Sequence, residues 1–290
     1  MSGPWYLGAD LGGTQFRMAA VTGAGRLATE LVSVPTGPDF GPEDLHREVA
    51  FLEARLAVGL EGPIAALGLG TAGVVRPGPL SQVSNLPRMN GVDLEALVRS
   101  ATRCPVAIEN DARCFTLAET RYGAGQGARH VVGVTLGTGV GCGVILDGRL
   151  HRGAGYEAGE VWRIPLRGRP LEESLSGSGV VRQYTARGGQ GVGETDAARV
   201  AEAARAGDPT AGAAWHAFAE DVAFLCRCIG ALLDPEVLVL GGSLTRSRDV
   251  FDASLRAALG THHPRVVYGV LGPAAGVIGA AALHLDSSVL

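Results

Sequence analysis

The 290-residue sequence contains no lysine; all 25 of its basic residues are arginine. That absence removes the phosphate-binding lysine of a P-loop nucleotide hydrolase, the strand lysine of a protein kinase and the Schiff-base lysine of a pyridoxal phosphate enzyme. Cysteine is scarce and badly placed for cross-linking. Cys104, Cys114, Cys142, Cys226 and Cys228 are odd in number and scattered, in a chain long enough to bury an ordinary core, so no disulfide framework is expected. Cys226 and Cys228 form C-x-C inside an apolar helical pattern with no second pair at zinc spacing nearby, and read as small core residues. No apolar run reaches the roughly 18 residues of a membrane span; Arg227 breaks the best candidate. No basic segment leads into an apolar one at the start, so a cytoplasmic location is expected. A surplus of one charge is missing too. The net charge of −4 gives no reason to expect nucleic acid or a membrane as partner.

What is present is an α/β chain. The apolar fraction is 46%, enough for one large domain or two modest ones. Residues 7–21 read as strand, tight Gly turn, strand, and residues 133–146 repeat that logic. Two such units half a chain apart suggest a duplicated fold, with one phosphate-facing hairpin in each half. Between them, Leu45, Val49, Leu52 and Leu56 mark a helix over 43–58, and 64–70 reads as a buried strand. A strand at 106–108 leads into a helix from Asp111 onward. Trp215, Phe218, Val222, Leu225, Ile229 and Leu232 step by three and four through a helix over 210–233. A buried strand follows at 237–240, and a small-residue helix at 275–283. The Gly-rich stretch 186–196 reads as a surface loop without assignable chemistry. Strands alternating with helices imply a partly parallel sheet in each half.

Four features carry chemistry. Asp10-Leu11-Gly12-Gly13-Thr14 sets a carboxylate at a strand end beside a Gly turn. There it can hold Mg²⁺ through water while backbone N–H groups and the Thr hydroxyl face phosphate. Leu136-Gly137-Thr138-Gly139 is a matching cradle. Glu109-Asn110-Asp111 places acids and an amide at a strand-to-helix junction, which suits a general base beside a hydrogen-bonding neighbour; a plain helix cap would look the same. Glu160 and Glu172 lie in a polar, Gly-rich stretch, where carboxylates can accept from sugar hydroxyls or simply face solvent.

Taken together, the set resembles the repressor–ORF–kinase (ROK) family of sugar kinases, in the actin/hexokinase superfamily. The resemblance runs through DLGGT at 10–14, GLGTAG at 68–73, SNLPRMNGVDL at 84–94, ENDA at 109–112, LGTGVGCGVILDGRLHRG at 136–153, AGE at 158–160, LEESLSG at 171–177, LVLGGSL at 238–244 and AGVIGAAAL at 275–283. It implies a two-lobed, ribonuclease H-like α/β fold with a cleft between lobes. The expected lobes are 1–109 completed by the C-terminal helix 275–290, and 110–274. The resemblance implies ATP and Mg²⁺ as cofactors, Asp111 as catalytic base and Asp10 as organiser of the metal. It places Gly12, Gly13, Thr14, Thr138 and Gly139 at the phosphates and Gly241 and Gly242 under the adenosine. It assigns Asn110, Asp111, Glu160 and Glu172 to the sugar hydroxyls, with Asn85 and Gly73 as further contacts. The acceptor would be a hexose, glucose first, phosphorylated at O6, by a homodimer or homotetramer.

Two departures stand out. Many members carry Gly-His soon after AGE and then a Cys-rich zinc loop. Here Val161, Trp162 and Arg163 follow, and no Cys or His lies between Glu160 and Glu172, so no structural zinc is expected. Arg163 is instead a candidate sugar contact, and Trp162 with Arg163 should shrink the pocket against N-acetyl groups. The phosphate motif begins by residue 10, so the helix-turn-helix of the repressor branch is not expected. A catalytically weak sugar sensor or scaffold, and a phosphotransferase with a non-sugar acceptor, are the competing readings.

Overall fold

A computed structural model describes residues 3–194, 196–260 and 264–285. The strands are β1 (Trp5–Leu11), β2 (Gln15–Val21), β3 (Val32–Pro35), β4 (Ile64–Thr71), β5 (Val106–Asn110), β6 (Val131–Leu136), β7 (Val140–Leu146), β8 (Arg149–Leu150), β9 (Pro165–Leu166), β10 (Arg169–Pro170), β11 (Val237–Gly241) and β12 (Arg265–Tyr268). The α-helices are α1 (Pro42–Ala57), α2 (Leu94–Ala101), α3 (Asp111–Tyr122), α4 (Glu172–Leu175), α5 (Gly177–Ala186), α6 (Ala197–Arg205), α7 (Pro209–Leu233), α8 (Asp252–Leu259) and α9 (Ala275–Ala282). By packing, the chain divides into two compact units, one from the described residues of 1–127, 143–158 and 270–290, the other from those of 128–142 and 159–269. The lobe boundary expected at 109/110 differs from this grouping, which keeps 110–127 and 143–158 with the first unit.

The two five-stranded sheets share one plan. The first has the order β3-β2-β1-β4-β5, and the second, read from its other end, β8-β7-β6-β11-β12. In each, a hairpin pair is flanked by one strand on one side and two on the other. In the first sheet β1 is antiparallel to β2 and parallel to β4, which is parallel to β5. In the second, β6 is parallel to β11, which is parallel to β12. The two-residue strands β9 and β10 pair separately.

Alternation along β1 explains how the first sheet is covered. Leu7, Ala9 and Leu11 point into a core with Leu45, Val49, Leu52 and Leu56 of α1 and Leu94 and Val98 of α2. Gly8 faces the other way, toward α9. A Cβ on Gly8 would lie 1.9 Å from the carbonyl oxygen of Val277, and one on Gly68 of β4 would lie 1.8 Å from that of Ala280. The helix therefore rests backbone-on-backbone on the sheet, a contact that only glycine allows. Its small-residue sequence follows from this, since Gly279 meets α3 equally closely at the Cys114 carbonyl.

In the second unit α7 buries Trp215, Phe218, Val222, Leu225, Cys226 and Ile229; Trp215 stacks on Phe251 and Phe218 meets it edge-on. Leu232, expected on the same apolar stripe, is 78% exposed because the helix ends one residue later. Cys226 is a core residue as read, whereas Cys228 is only partly buried. The stretch between α5 and α6 has no strand or helix among its described residues; Thr195 lies outside them. The chain turns after α9 as far as Leu285, and residues 286–290 of the expected terminal helix lie outside the described residues. No described helix is long and apolar enough to cross a membrane.

Candidate active site

The parallel strands of the first unit bring its candidate residues to one edge. Asp10 lies opposite Gly70, which lies opposite Glu109; one step further, Leu11, Thr71 and Asn110 form the next row. These rows are the carboxyl ends of β1, β4 and β5, where ligand sites of parallel α/β sheets form because the chain must leave the sheet there. Asp111 is the next residue and opens α3. Strand register thus sets Asp10 and Asp111, distant in sequence, into one electrostatic neighbourhood.

That neighbourhood is acidic. Asp10 is 18% exposed and pairs loosely with Arg17 across the β1–β2 ladder at 3.7 Å. Burial, then the charge of Asp111, push its pKa up to about 7, with Arg17 opposing. The buried thiol of Cys114 is pushed well up by burial and by the charges of Glu109, Asp10 and Asp111. Among the described residues no group of three or more His, Cys, Asp or Glu could hold a metal by itself. Two carboxylates in a field that disfavours their joint ionisation nonetheless fit Mg²⁺, which takes one or two carboxylates and completes its shell with water and phosphate.

The junction itself is over-determined. Asn110 caps α3, its Oδ1 accepting from the N–H groups of Ala112 at 3.0 Å and Arg113 at 3.2 Å. Its Nδ2 donates to the carbonyl of Gly73 at 3.2 Å, so the cap and the amide-neighbour readings meet in one residue. Gly73 sits at φ +93°, where a Cβ would lie 2.6 Å from the Ser81 carbonyl. Asp111 Oδ1 accepts from the N–H of Ala112 at 2.8 Å. Glu109, which shares the motif, is only 1% exposed and is a structural ion rather than a base. Its Oε1 accepts from Arg113 Nη1 at 3.0 Å and from the N–H of Asn110 at 2.9 Å, and its Oε2 from Arg152 Nε at 2.6 Å. Sequence reasoning missed Arg113 and Arg152. The i,i+4 spacing of Glu109 and Arg113 was a legible signal; nothing local announced Arg152.

The turn at Gly12, Gly13 and Thr14 is tied down by Thr36, whose hydroxyl donates to the Gly12 carbonyl at 2.7 Å and whose N–H donates to the Thr14 carbonyl at 3.0 Å. A Cβ on Gly13 would stand 2.5 Å from Cβ of Asn85, so two residues chosen for different roles are in contact. Thr14 and Asn85 are exposed.

The remaining candidates belong to the second unit. The N–H of Gly137 donates to the carbonyl of Gly139 at 3.0 Å, closing a turn that leaves Thr138 exposed. Glu172, first residue of α4, accepts at Oε2 from the N–H of Val140 at 2.9 Å, and a Cβ on Gly139 would come within 2.5 Å of that oxygen. Glu172 is therefore in contact with the phosphate-type hairpin itself. Gly241 ends β11 in the core; Gly242 sits at φ +86°, with a hypothetical Cβ 2.3 Å from the Leu136 carbonyl. Glu160 accepts a hydrogen bond from Nε1 of Trp162. Arg163 is exposed, its guanidinium 5.0 Å above the Trp162 ring.

Comparison with known proteins gives the family. The model of the ROK family covers residues 6–287. A glucokinase of Halalkalibacterium halodurans is 29% identical over 96% of this chain and 94% of its own length. The N-acetylgalactosamine kinase AgaK of a Shewanella species is 30% identical over 98% of each chain. Among solved structures, a ROK family glucokinase from Streptomyces griseus, in complex with glucose and AMPPNP, superposes with a TM-score of 0.82 at 28% identity, covering 96% of this chain and 98% of its own. The ROK hexokinase of Thermus thermophilus gives 0.81 at 30% identity, covering 96% of each. The fold is thus the two-lobed actin/hexokinase-like one anticipated from the motifs, and the chain belongs to the ROK family.

Proposed function

We propose that this protein is an ATP-dependent sugar kinase that transfers the γ-phosphate of ATP to O6 of an unsubstituted hexose, with glucose the first choice. The observation that carries this reading is the strand register that sets Asp10 and Glu109-Asn110-Asp111 at one sheet edge. Similarity to glucokinases supports the reaction class. Asp111 accepts the proton of the attacking hydroxyl, whose oxygen attacks the γ-phosphorus in line as the bond to the ADP oxygen breaks. Asn110 and Gly73, already joined, present the acceptor, and Glu160 and Glu172 accept from its other hydroxyls. Gly12, Gly13 and Thr14, with Thr138 and Gly139, offer N–H and hydroxyl donors to phosphate, and Gly241 and Gly242 lie beneath the adenosine. Bound Mg²⁺, held by Asp10 through water with Asp111 nearby, supplies positive charge against the phosphates. Trp162 and Arg163 narrow the sugar pocket, which disfavours N-acetyl substituents. The working protein is a cytoplasmic homodimer or homotetramer, without nucleic acid or membrane as partner.

One observation favours a second reading, a sugar sensor with little turnover: the indole of Trp162 already occupies the Glu160 carboxylate. A coupled ADP-release assay over hexoses and N-acetylhexosamines separates the two. Glucose should be phosphorylated and N-acetylated sugars only weakly. Asp111→Asn should lower turnover by roughly two to four orders of magnitude while sugar binding survives. Absence of turnover with every hexose would favour the sensor, and an active Asp111→Asn variant would remove Asp111 as base.

A further inference from the structure

We infer that Arg113 is a positioning residue: through Glu109 on one side and two main-chain carbonyls on the other, it fixes the base-bearing junction to the segment that leads into Glu160. The inference rests on the kinase reading for its consequence, though the device itself is independent of that reading.

Arg113 lies on the first turn of α3 and is 2% exposed, an unusual setting for a permanent charge. Its Nη1 donates to Glu109 Oε1 at 3.0 Å, and its Nη2 donates to the carbonyls of Tyr156 at 2.7 Å and Ala158 at 3.2 Å. A planar, permanently charged guanidinium can donate to two targets in fixed directions at once, which a lysine ammonium cannot. One target is the carboxylate that also accepts from the N–H of Asn110, so the peptide entering Asn110 is held by the same group. The other is a stretch whose backbone has no regular structure of its own; Tyr156 sits at φ +61°, a conformation that tertiary contacts must enforce. Two residues beyond Ala158 the chain reaches Glu160.

Burial without gain in packing makes a purely stabilising role a poor account. A buried ion cluster is weak in net stability, because desolvation offsets most of the attraction, and is best explained by what it orients. Glu109 has a second partner in Arg152, which is 29% exposed and lines, with Glu109, a cavity of about 200 Å³ beside Val75, Ile108 and Tyr156. Arg113, at 2% exposed, is far more buried than Arg152, so substitutions at the two ends of Arg113's contact test its part alone. Arg113→Met alone leaves Glu109 half-neutralised, whereas Glu109→Gln with Arg113→Met removes both buried charges and keeps volume.

The test uses the full chain. Arg113→Met should lower the melting temperature, and the double variant should recover part of that loss. In both, turnover with hexose relative to the parent should fall by on the order of tenfold or more, with hexose KM rising and ATP KM nearly constant. Arg113→Lys, which keeps the charge but not the fork, should fall between. Hydrogen exchange, read without any substrate, should quicken together at residues 110–113 and 156–160 in the double variant. A double variant with parental kinetics and parental exchange in either segment overturns the inference. Should the parent itself lack kinase activity, the exchange experiment still decides whether Arg113 couples the two segments, and only the kinase reading falls.

Discussion

The two glycine turns, 12–14 and 137–139, look alike in sequence and are held differently. In each, a polar side chain that the family resemblance assigns to the sugar presses on a glycine: Asn85 on Gly13, Glu172 on Gly139, both at 2.5 Å from a hypothetical Cβ. The contacting atoms differ. At Gly13 the neighbour is Cβ of Asn85, rooted to the backbone; at Gly139 it is the carboxylate tip of Glu172, which also accepts from the N–H of Val140. The first turn is braced by Asn85 Cβ and by Thr36, the second by a flexible side-chain tip that holds the Val140 N–H. Similar turns can thus rest on a fixed support in one case and on a yielding one in the other.

Glu172 is where the comparison is most easily broken. Glu172→Ala removes an acceptor from the hairpin and from the sugar, and hydrogen bonds to charged groups contribute about 1.5–3 kcal/mol each. Hexose KM should rise on the order of tenfold or more, and ATP KM should rise with it because the Val140 amide is released. Glu172→Gln, whose amide oxygen can still accept from Val140, should spare ATP KM. Equal ATP KM in all three proteins would mean that the hairpin does not depend on Glu172.

Replacing the glycines tests stability. Gly13→Ala drives a methyl group into Asn85 Cβ, an overpacking that costs about 1–3 kcal/mol, so its melting temperature should fall by several degrees. Gly139→Ala should cost less, because the Glu172 tip can retreat, and should raise ATP KM instead. Thermal melts of the two variants side by side check this; equal losses would erase the distinction between rigid and yielding supports.

The last effect expected is confined to pH, a slope contributed by Asp10. Its folded-state pKa is raised to about 7 against an ordinary 3.8, so the folded protein holds a proton that the unfolded chain releases. The contribution of Asp10 to stability should therefore be fully present at or below about pH 4, be lost as pH rises through about 7, and stay absent above it. Asp10→Asn should flatten that slope, melting higher than the parent at pH 8 and little differently near pH 4. Parallel pH profiles for the two proteins would contradict the raised pKa.

Much of this was legible in the sequence because it depends on local pattern. The stripe Leu45, Val49, Leu52, Leu56 defines α1, and the Gly turns with their flanking apolar runs define both hairpins. Asp10 stood out by motif chemistry and Asp111 by the family resemblance, and strand register brings them to one sheet edge. What could not be read depends on partners far along the chain. Arg152 reaches Glu109 across 43 residues, and Thr36 reaches Gly12 across 24. Glu109, read as one of three acids and amides suited to catalysis, is instead locked by two arginines, a distinction that burial decides and sequence does not. Leu232 continued the helical period but had no turn beyond it to pack under.

The contact between α9 and the glycines of β1 and β4 also dictates an order of events in synthesis. Strands β1 through β5 are complete before residue 111 is added, and α3 follows at once to cover Gly70, yet the part of that face that carries Gly8 and Gly68 meets its helix only when residues 275–282 have been made. The residues of the second unit, 128–142 and 159–269, all emerge before that helix does. Vectorial folding normally completes the amino-terminal unit first; here that unit needs residues from the end of the chain, so the part translated first cannot finish its packing until the rest has been made.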